Sequence, residues 1–312
     1  MSRAVLSSAM VLACARLLAQ KPDSLLDRIR NCRLPVEQRE ELARSYAAKE
    51  YGGAEAILQQ LAAAAGKTPQ AGELYALAGA VEFVDGRMDR SVGDFRRADS
   101  LAPVDDADRF TWAMALVNLG ETKGAREQLT RLHDSHPDRP LYLYWLARMD
   151  YDQRLYQEAV EKLRRVIRLD PESVRAYDNL GLALDMLGQA DEAREAFQKA
   201  VDFNRKLPQP SAWPPHNLGA LLLRLQELKE AEAALREALR YDPHFSMAHY
   251  HLGRVLDEEG RDDEAIAEYR AATSMEPVVV EAFYSLGLVY RRHERKAEAE
   301  AAFAEYKRRK AQ

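Results

Sequence analysis

The chain has 312 residues and carries 45 Lys plus Arg against 50 Asp plus Glu, a net charge of −5 at pH 7. Hydrophobic residues at 47% and charged residues at 30% describe a folded chain and exclude a disordered one. The missing basic surplus speaks against nucleic-acid binding. Two cysteines can neither staple a fold of this length nor complete a structural zinc site.

Arg3 precedes a mostly apolar run over residues 4–15, and the chain turns polar at Gln20. The run is too short to span a bilayer, which takes about 20 apolar residues. A basic start, a short apolar stretch and small residues at its exit are similar to a secretory signal peptide over residues 1–19. Ala13-Cys14-Ala15 and Leu17-Leu18-Ala19 both offer an exit, and Val11-Leu12-Ala13-Cys14 resembles a bacterial lipoprotein box with Cys14 acylated. Arg16 suits an uncleaved amphipathic helix better, and export would leave Cys32 as a lone thiol in an oxidising compartment. The expectation is export to the periplasm, with a membrane contact only through a lipidated Cys14. A cytoplasmic chain is the alternative.

Residues 20–71 read as helical, with helices over 36–50 and 53–65 and the turn at Tyr51-Gly52-Gly53-Ala54. Beyond them a spacing of 34 takes over. Pro103, Pro137 and Pro171 stand 34 apart, as do Pro243 and Pro277. Seven units follow, starting at Gly72, Asp106, Pro140, Val174, Ala212, Ser246 and Val280. Residues 72–211 hold the first four and 212–312 the last three, and the fourth carries a four-residue insertion.

Position eight of every unit is small, including Gly181, Gly219, Gly253 and Gly287, and position twenty is Ala193, Ala231, Ala265 and Ala299 in the last four. Small side chains recurring at these places point to helix axes in close approach. Position twenty-four is large in every unit (Phe95, Leu129, Leu163, Phe197, Leu235, Tyr269 and Phe303) and fills the space so left. Each proline stops a helix, and Gly86, Gly120, Gly188 and Gly260 at position fifteen suit a left-handed turn at a helix end. Residues 204–215, NRKLPQPSAWPP, hold Pro208, Pro210, Pro214 and Pro215 and predict a stiff extended connector that divides the array.

The 34-residue period with these residue types resembles the tetratricopeptide repeat over residues 72–312, with a degenerate eighth unit at about 35–71. The resemblance implies an all-α fold, a right-handed superhelical α-solenoid of stacked helix-turn-helix repeats. It also implies a concave groove lined by positions 2, 5, 6, 9, 12 and 13 of each first helix. In the third unit these positions are Tyr144, Trp145, Arg148, Tyr151 and Asp152; in the fourth, Arg175, Asp178, Asn179 and Asp185. The fifth gives Trp213, His216, Asn217 and Arg224, the sixth Tyr250, His251, Arg254 and Asp257, and the seventh Tyr284, Ser285 and Arg291. Aromatic, Arg and amide side chains of this kind are enriched at binding hot spots.

The first two units offer an apolar stripe instead: Ala76, Leu77, Ala80, Phe83, Val84, Phe110, Met114 and Val117. It suits the N-terminal segment or a partner helix. Asn179 and Asn217, at position six of consecutive units, resemble the start of the asparagine ladder of the O-GlcNAc transferase repeats, which grips a peptide backbone. The chaperone-type carboxylate clamp is matched only in scattered members.

No phosphate loop, nucleophile elbow or metal-ligand spacing is present, and a chain filled by repeats leaves no room for a sheet-based catalytic domain. The expectation is a non-enzyme without cofactor, metal, nucleic acid or small-molecule substrate. Its partner is another protein or peptide segment, in a bacterial envelope assembly, secretion or pilus-type complex. A cytoplasmic regulatory subunit of a glycosyltransferase or signalling enzyme is the alternative.

Overall fold

A computed structural model of the chain describes residues 23–311. The signal-peptide reading of residues 1–19 and the acylation reading of Cys14 lie outside the described residues. The chain divides into two compact units between Met149 and Asp150.

The first unit holds α1 (Asp23–Asn31), α2 (Val36–Ala47), α3 (Tyr51–Ala65), α4 (Pro69–Val84), α5 (Met88–Leu101), α6 (Asp106–Asn118), α7 (Thr122–Ser135) and the body of α8 (Pro140–Asp152). Thr68 caps α4 by accepting from the Ala71 N–H at 3.2 Å, with Pro69 in the first turn, and Asp105 caps α6 by accepting from the Asp108 N–H at 2.8 Å. Both caps satisfy donors that an α-helix leaves open at its start. The turn after α2 falls at 48–50, with Lys49 at φ 61°, so Gly52 and Gly53 lie inside α3 and not in the turn expected there. Ile29, Leu42, Leu58, Leu74, Leu77 and Val81 form one buried cluster, which makes α1 part of the core. Within α4 and α5 the ring of Phe95 lies over Gly79, and the Ser91 hydroxyl donates to the Gly79 carbonyl at 2.8 Å.

The second unit continues with α9 (Tyr156–Leu169), α10 (Val174–Met186), α11 (Ala190–Asn204), α12 (Trp213–Arg224), α13 (Leu228–Tyr241), α14 (Ser246–Glu258), α15 (Asp262–Ser274), α16 (Val280–Arg292) and α17 (Lys296–Lys310). Four helix pairs from α10 to α17 stack in sequence. The reason for the recurring small residues is visible in each pair. A Cβ built on Gly181 would stand 2.6 Å from the Phe197 ring, one on Gly253 2.7 Å from the Tyr269 ring, and one on Gly287 2.5 Å from the Phe303 ring. At Gly219 the intruded side chain is Leu235, at 2.7 Å. Ala193, Ala231, Ala265 and Ala299 are buried beside them.

Second helices end two or three residues before Pro103, Pro137, Pro171, Pro243 and Pro277. Position fifteen is left-handed throughout: Gly86, Gly120, Gly188 and Gly260 have φ between 72° and 80°. Arg154, Gln226 and Glu294 take the same conformation at 58–63° where a unit lacks the glycine.

The insertion is shorter than expected. α11 runs to Asn204, the connector covers 205–212, and Trp213, Pro214 and Pro215 form the first turn of α12. Proline is tolerated there because the first N–H groups of a helix have no intrahelical partner. Asn204 is fully buried and clamps the connector: its Nδ2 donates to the Ser211 carbonyl at 2.8 Å and its Oδ1 accepts from the Ser211 N–H at 2.9 Å. Beyond the clamp α12 packs on both α10 and α11, so the stacking expected across the insertion is kept.

Candidate functional site

In the first unit the first-helix face is largely covered. Ala76, Leu77, Ala80, Phe83, Phe110 and Met114 are buried, while Val84 is exposed. Helix α1 takes part of the stripe, with Leu25 and Ile29 in the cluster of Leu74 and Leu77. Arg28 fixes it by donating from both terminal nitrogens to Asp108 on α6, at 2.8 and 2.6 Å. Burial pushes the Asp108 carboxyl up to about 6 even though Arg28 pulls the other way. Tyr144 and Trp145, expected as exposed groove aromatics, are buried with their rings edge to face at 5.8 Å. Arg148 is half-buried. In the second unit, Tyr151 packs edge-on against Tyr156 at 5.4 Å.

On α10, α12, α14 and α16 the residues expected to face a ligand are used in large part to join neighbouring units. Position five of one unit reaches position six of the next. Asn217 Nδ2 donates to Asp178 at 2.9 Å, His216 meets His251 at 2.9 Å, and Tyr250 reaches Ser285. A second seam joins position twelve to position thirteen: Arg224 pairs with Asp185, and Arg292 with Asp257 at 2.5 Å. Gln226 adds a bond to Glu258 at 2.8 Å.

The first seam fixes its own tautomers. Asn217 spends its amide N–H on Asp178, so its Oδ1 is the acceptor toward His216 Nδ1 at 3.1 Å. His216 Nδ1 therefore carries the proton, its Nε2 is an acceptor, and His251 Nδ1–H donates to it. The two rings stack with centroids 5.0 Å apart. Burial pushes His216 down to about 4; burial, with the charges of His216 and Arg254, pushes His251 down to about 3. Both are neutral at pH 7.

The asparagine ladder is not formed. Asn179 donates to the backbone carbonyl of Arg175 at 2.9 Å, and Asn217 is committed to Asp178. What stays open on this face is a smaller set. Trp213 is 55% exposed, with its ring 4.7 Å from Phe245 and 5.8 Å from His216. Tyr284 is 46% exposed and packs on Phe303 and Tyr306. Arg175 and Arg291 are exposed, the latter over the Phe303 ring, and Arg254 reaches Glu258 only at 3.7 Å. Phe245 and Arg292 were not legible as site residues. Phe245 precedes its helix and stands outside the first-helix register, and Arg292 joins through a pairing with α14 that no local pattern signals.

Among the described residues no three His, Cys, Asp or Glu side chains come together to hold a metal ion. No helix among them is long and apolar enough to cross a membrane.

The family model described as tetratricopeptide repeat matches the chain at residues 110–159, 147–208, 216–274 and 263–312, well over half of it. The BBSome complex member bbs-4 of Caenorhabditis elegans is 24% identical over 204 residues, 61% of this chain and 42% of that protein. The BBSome complex member BBS4 of Mus musculus is 28% identical over 135 residues, 43% of this chain and 25% of that protein. The chain thus spans less than half the length of these curated relatives. The crystal structure of a tetratricopeptide repeat protein from Parabacteroides merdae superposes with a TM-score of 0.64 at 16% identity, covering 86% of this chain and 98% of that one, and shares the fold. From the 34-residue period, the glycine–ring contacts inside each helix pair and the family match, the chain belongs to the tetratricopeptide repeat family.

Proposed function

We propose that the protein is a non-catalytic scaffold that holds a segment of a partner protein against the first-helix face of residues 174–311. The observation that carries this reading is the division of labour on that face. Once the seams are closed, large aromatic and arginine side chains stay exposed on rigid helices, which is the composition of a binding hot spot. The two relatives named as members of a complex support a place in a multiprotein assembly. The reading extends to an exported protein of a bacterial envelope assembly, secretion or pilus-type complex. That part rests on Arg3 and the apolar run 4–15 alone.

Two experiments test it. With p-benzoylphenylalanine at position 213 or 284, irradiation in the native host should crosslink one discrete protein. The same group at exposed second-helix positions 198 or 300 should not. Equal labelling from both sets would remove the face as the binding site. The intact mass of the protein recovered from the envelope fraction should lack residues 1–15, 1–19, or those before an acylated Cys14. A full-length mass would return the protein to the cytoplasm.

A further inference from the structure

The chemistry of the partner can be taken further, on the condition that the proposed binding face is the right one. Four carboxylates of this face already serve as acceptors. Asp178 accepts from Asn217, Asp185 from Arg224, Asp257 from Arg292 and Glu258 from Gln226. Glu281 lies in the field of Lys310. Beyond Arg224 and Arg292, which close the second seam, the guanidinium groups are less committed. Among the described residues Arg175 and Arg291 donate to no carboxylate, and Arg254 makes only a loose ion pair with Glu258 of its own helix, at 3.7 Å and beyond hydrogen-bond length.

Arg175, Arg254 and Arg291 occupy positions two, nine and twelve of their units, on the helix face that also presents Trp213 and Tyr284. The face therefore offers charged donors and flat apolar rings, while most of its carboxylates already accept at least one bond. A ligand satisfies it by bringing charged acceptors beside apolar or aromatic side chains. Arginine is suited to this because its planar fork takes a carboxylate in two parallel bonds.

We infer that the partner segment is an extended acidic peptide, with internal Asp or Glu side chains seated on Arg175, Arg254 and Arg291 and interspersed apolar or aromatic residues packed on Trp213 and Tyr284. Its carboxylates are side chains rather than a chain terminus, because the three arginines are spread over three units.

The test uses the full chain and three fluorescein-labelled twelve-residue peptides, acetylated and amidated, in fluorescence anisotropy. One alternates Asp and Glu with Phe and Leu, the second has Lys for every acid, and the third Asn and Gln. The acidic peptide should bind about tenfold or more tighter than the neutral one, the Lys peptide weakest of all. Raising NaCl from about 50 to 500 mM should erode the preference, and freeing the peptide's C-terminus should change nothing. R175E/R254E/R291E should reverse the order in favour of the Lys peptide, with helicity unchanged by circular dichroism. R175Q/R254Q/R291Q should level the acidic and neutral peptides, should the reversal perturb folding.

Equal binding of the three peptides, or an acidic preference that survives R175Q/R254Q/R291Q, would overturn the acidic-partner inference. Crosslinking from 213 and 284 that persists in that case leaves the binding face standing. Loss of peptide binding and of crosslinking together removes both. A tenfold gain on freeing the C-terminus would assign the site to a terminal carboxylate and overturn the side-chain reading.

Discussion

Position fifteen shows what a single residue can and cannot signal. Four units carry glycine there, and its left-handed backbone was legible because glycine alone enters that region freely. Arg154, Gln226 and Glu294 adopt the same conformation without any signal of their own, since the helix pair before and after them dictates the turn. An L-residue held left-handed costs about 1 kcal/mol relative to glycine. Gln226→Gly should therefore raise stability by about that amount, read as a higher urea midpoint with an unchanged slope. A lower midpoint would show that Gln226 contributes more through its bond to Glu258 than it loses in backbone strain. Position eight is the counterpart. Glycine against a ring was expected from the pattern, and the Phe197 ring under Gly181 leaves no volume for a methyl group.

The helices themselves were largely readable, because their amphipathic period and their stops are local. What joins one helix pair to the next was not. Positions five, six, twelve and thirteen carry the residue types of a binding groove, and the structure spends most of them on inter-unit seams. Asp178 and Asn217 lie 39 residues apart, and only the packing of α12 on α10 brings them to 2.9 Å.

The connector was misjudged at its end for a related reason. Four prolines in a row of twelve read as extended chain, yet two of them sit where a helix start leaves its N–H groups unused. Asn204 gave no sign of its role as the clamp. Asn204→Ala would remove the two bonds that the fully buried Asn204 makes to the backbone of the exposed Ser211, at a cost of about 0.5–1.5 kcal/mol each. Chemical denaturation should show that loss, with the far-ultraviolet helical signal of the folded state unchanged. No change in midpoint would mean that water replaces the clamp.

At the scale of the molecule, the two units answer pH in opposite directions. In the first, Glu82 is fully buried beside Asp94 and Glu55. Desolvation and those charges push its carboxyl up to about 8, and Asp108 rises to about 6. The unfolded chain ionises these groups near their ordinary values and binds fewer protons across that span. Stability of the first unit therefore falls as pH rises from about 4 to about 8. In the second, His216 and His251 stay neutral down to about 4 and 3, while the unfolded chain takes up protons from about 6.5. Its stability falls as pH drops through that window, offset in part by His249, whose charged form Glu268 favours.

Trp112 and Trp213 report the two units separately, in variants with the other tryptophans replaced by Phe. Between pH 5 and pH 8 the urea midpoint seen at Trp213 should rise and that seen at Trp112 should fall. Midpoints that move together in one direction would rule out the opposed response. His216→Leu with His251→Leu should flatten the Trp213 profile.

Helix count, unit length, the small-against-large contacts inside each pair and the class of fold were set by the sequence through local physics. A 34-residue period, a proline stop and a glycine under a ring each act within one unit, so each leaves its mark within 34 residues. The division between Met149 and Asp150, the burial of Tyr144 and Trp145, the neutral histidine pair and the exposure of Arg175 and Arg291 were decided by the tertiary structure. Each depends on which side chain of a neighbouring element arrives first at a donor or an apolar surface. That competition is settled by packing geometry across units, and no residue carries it alone.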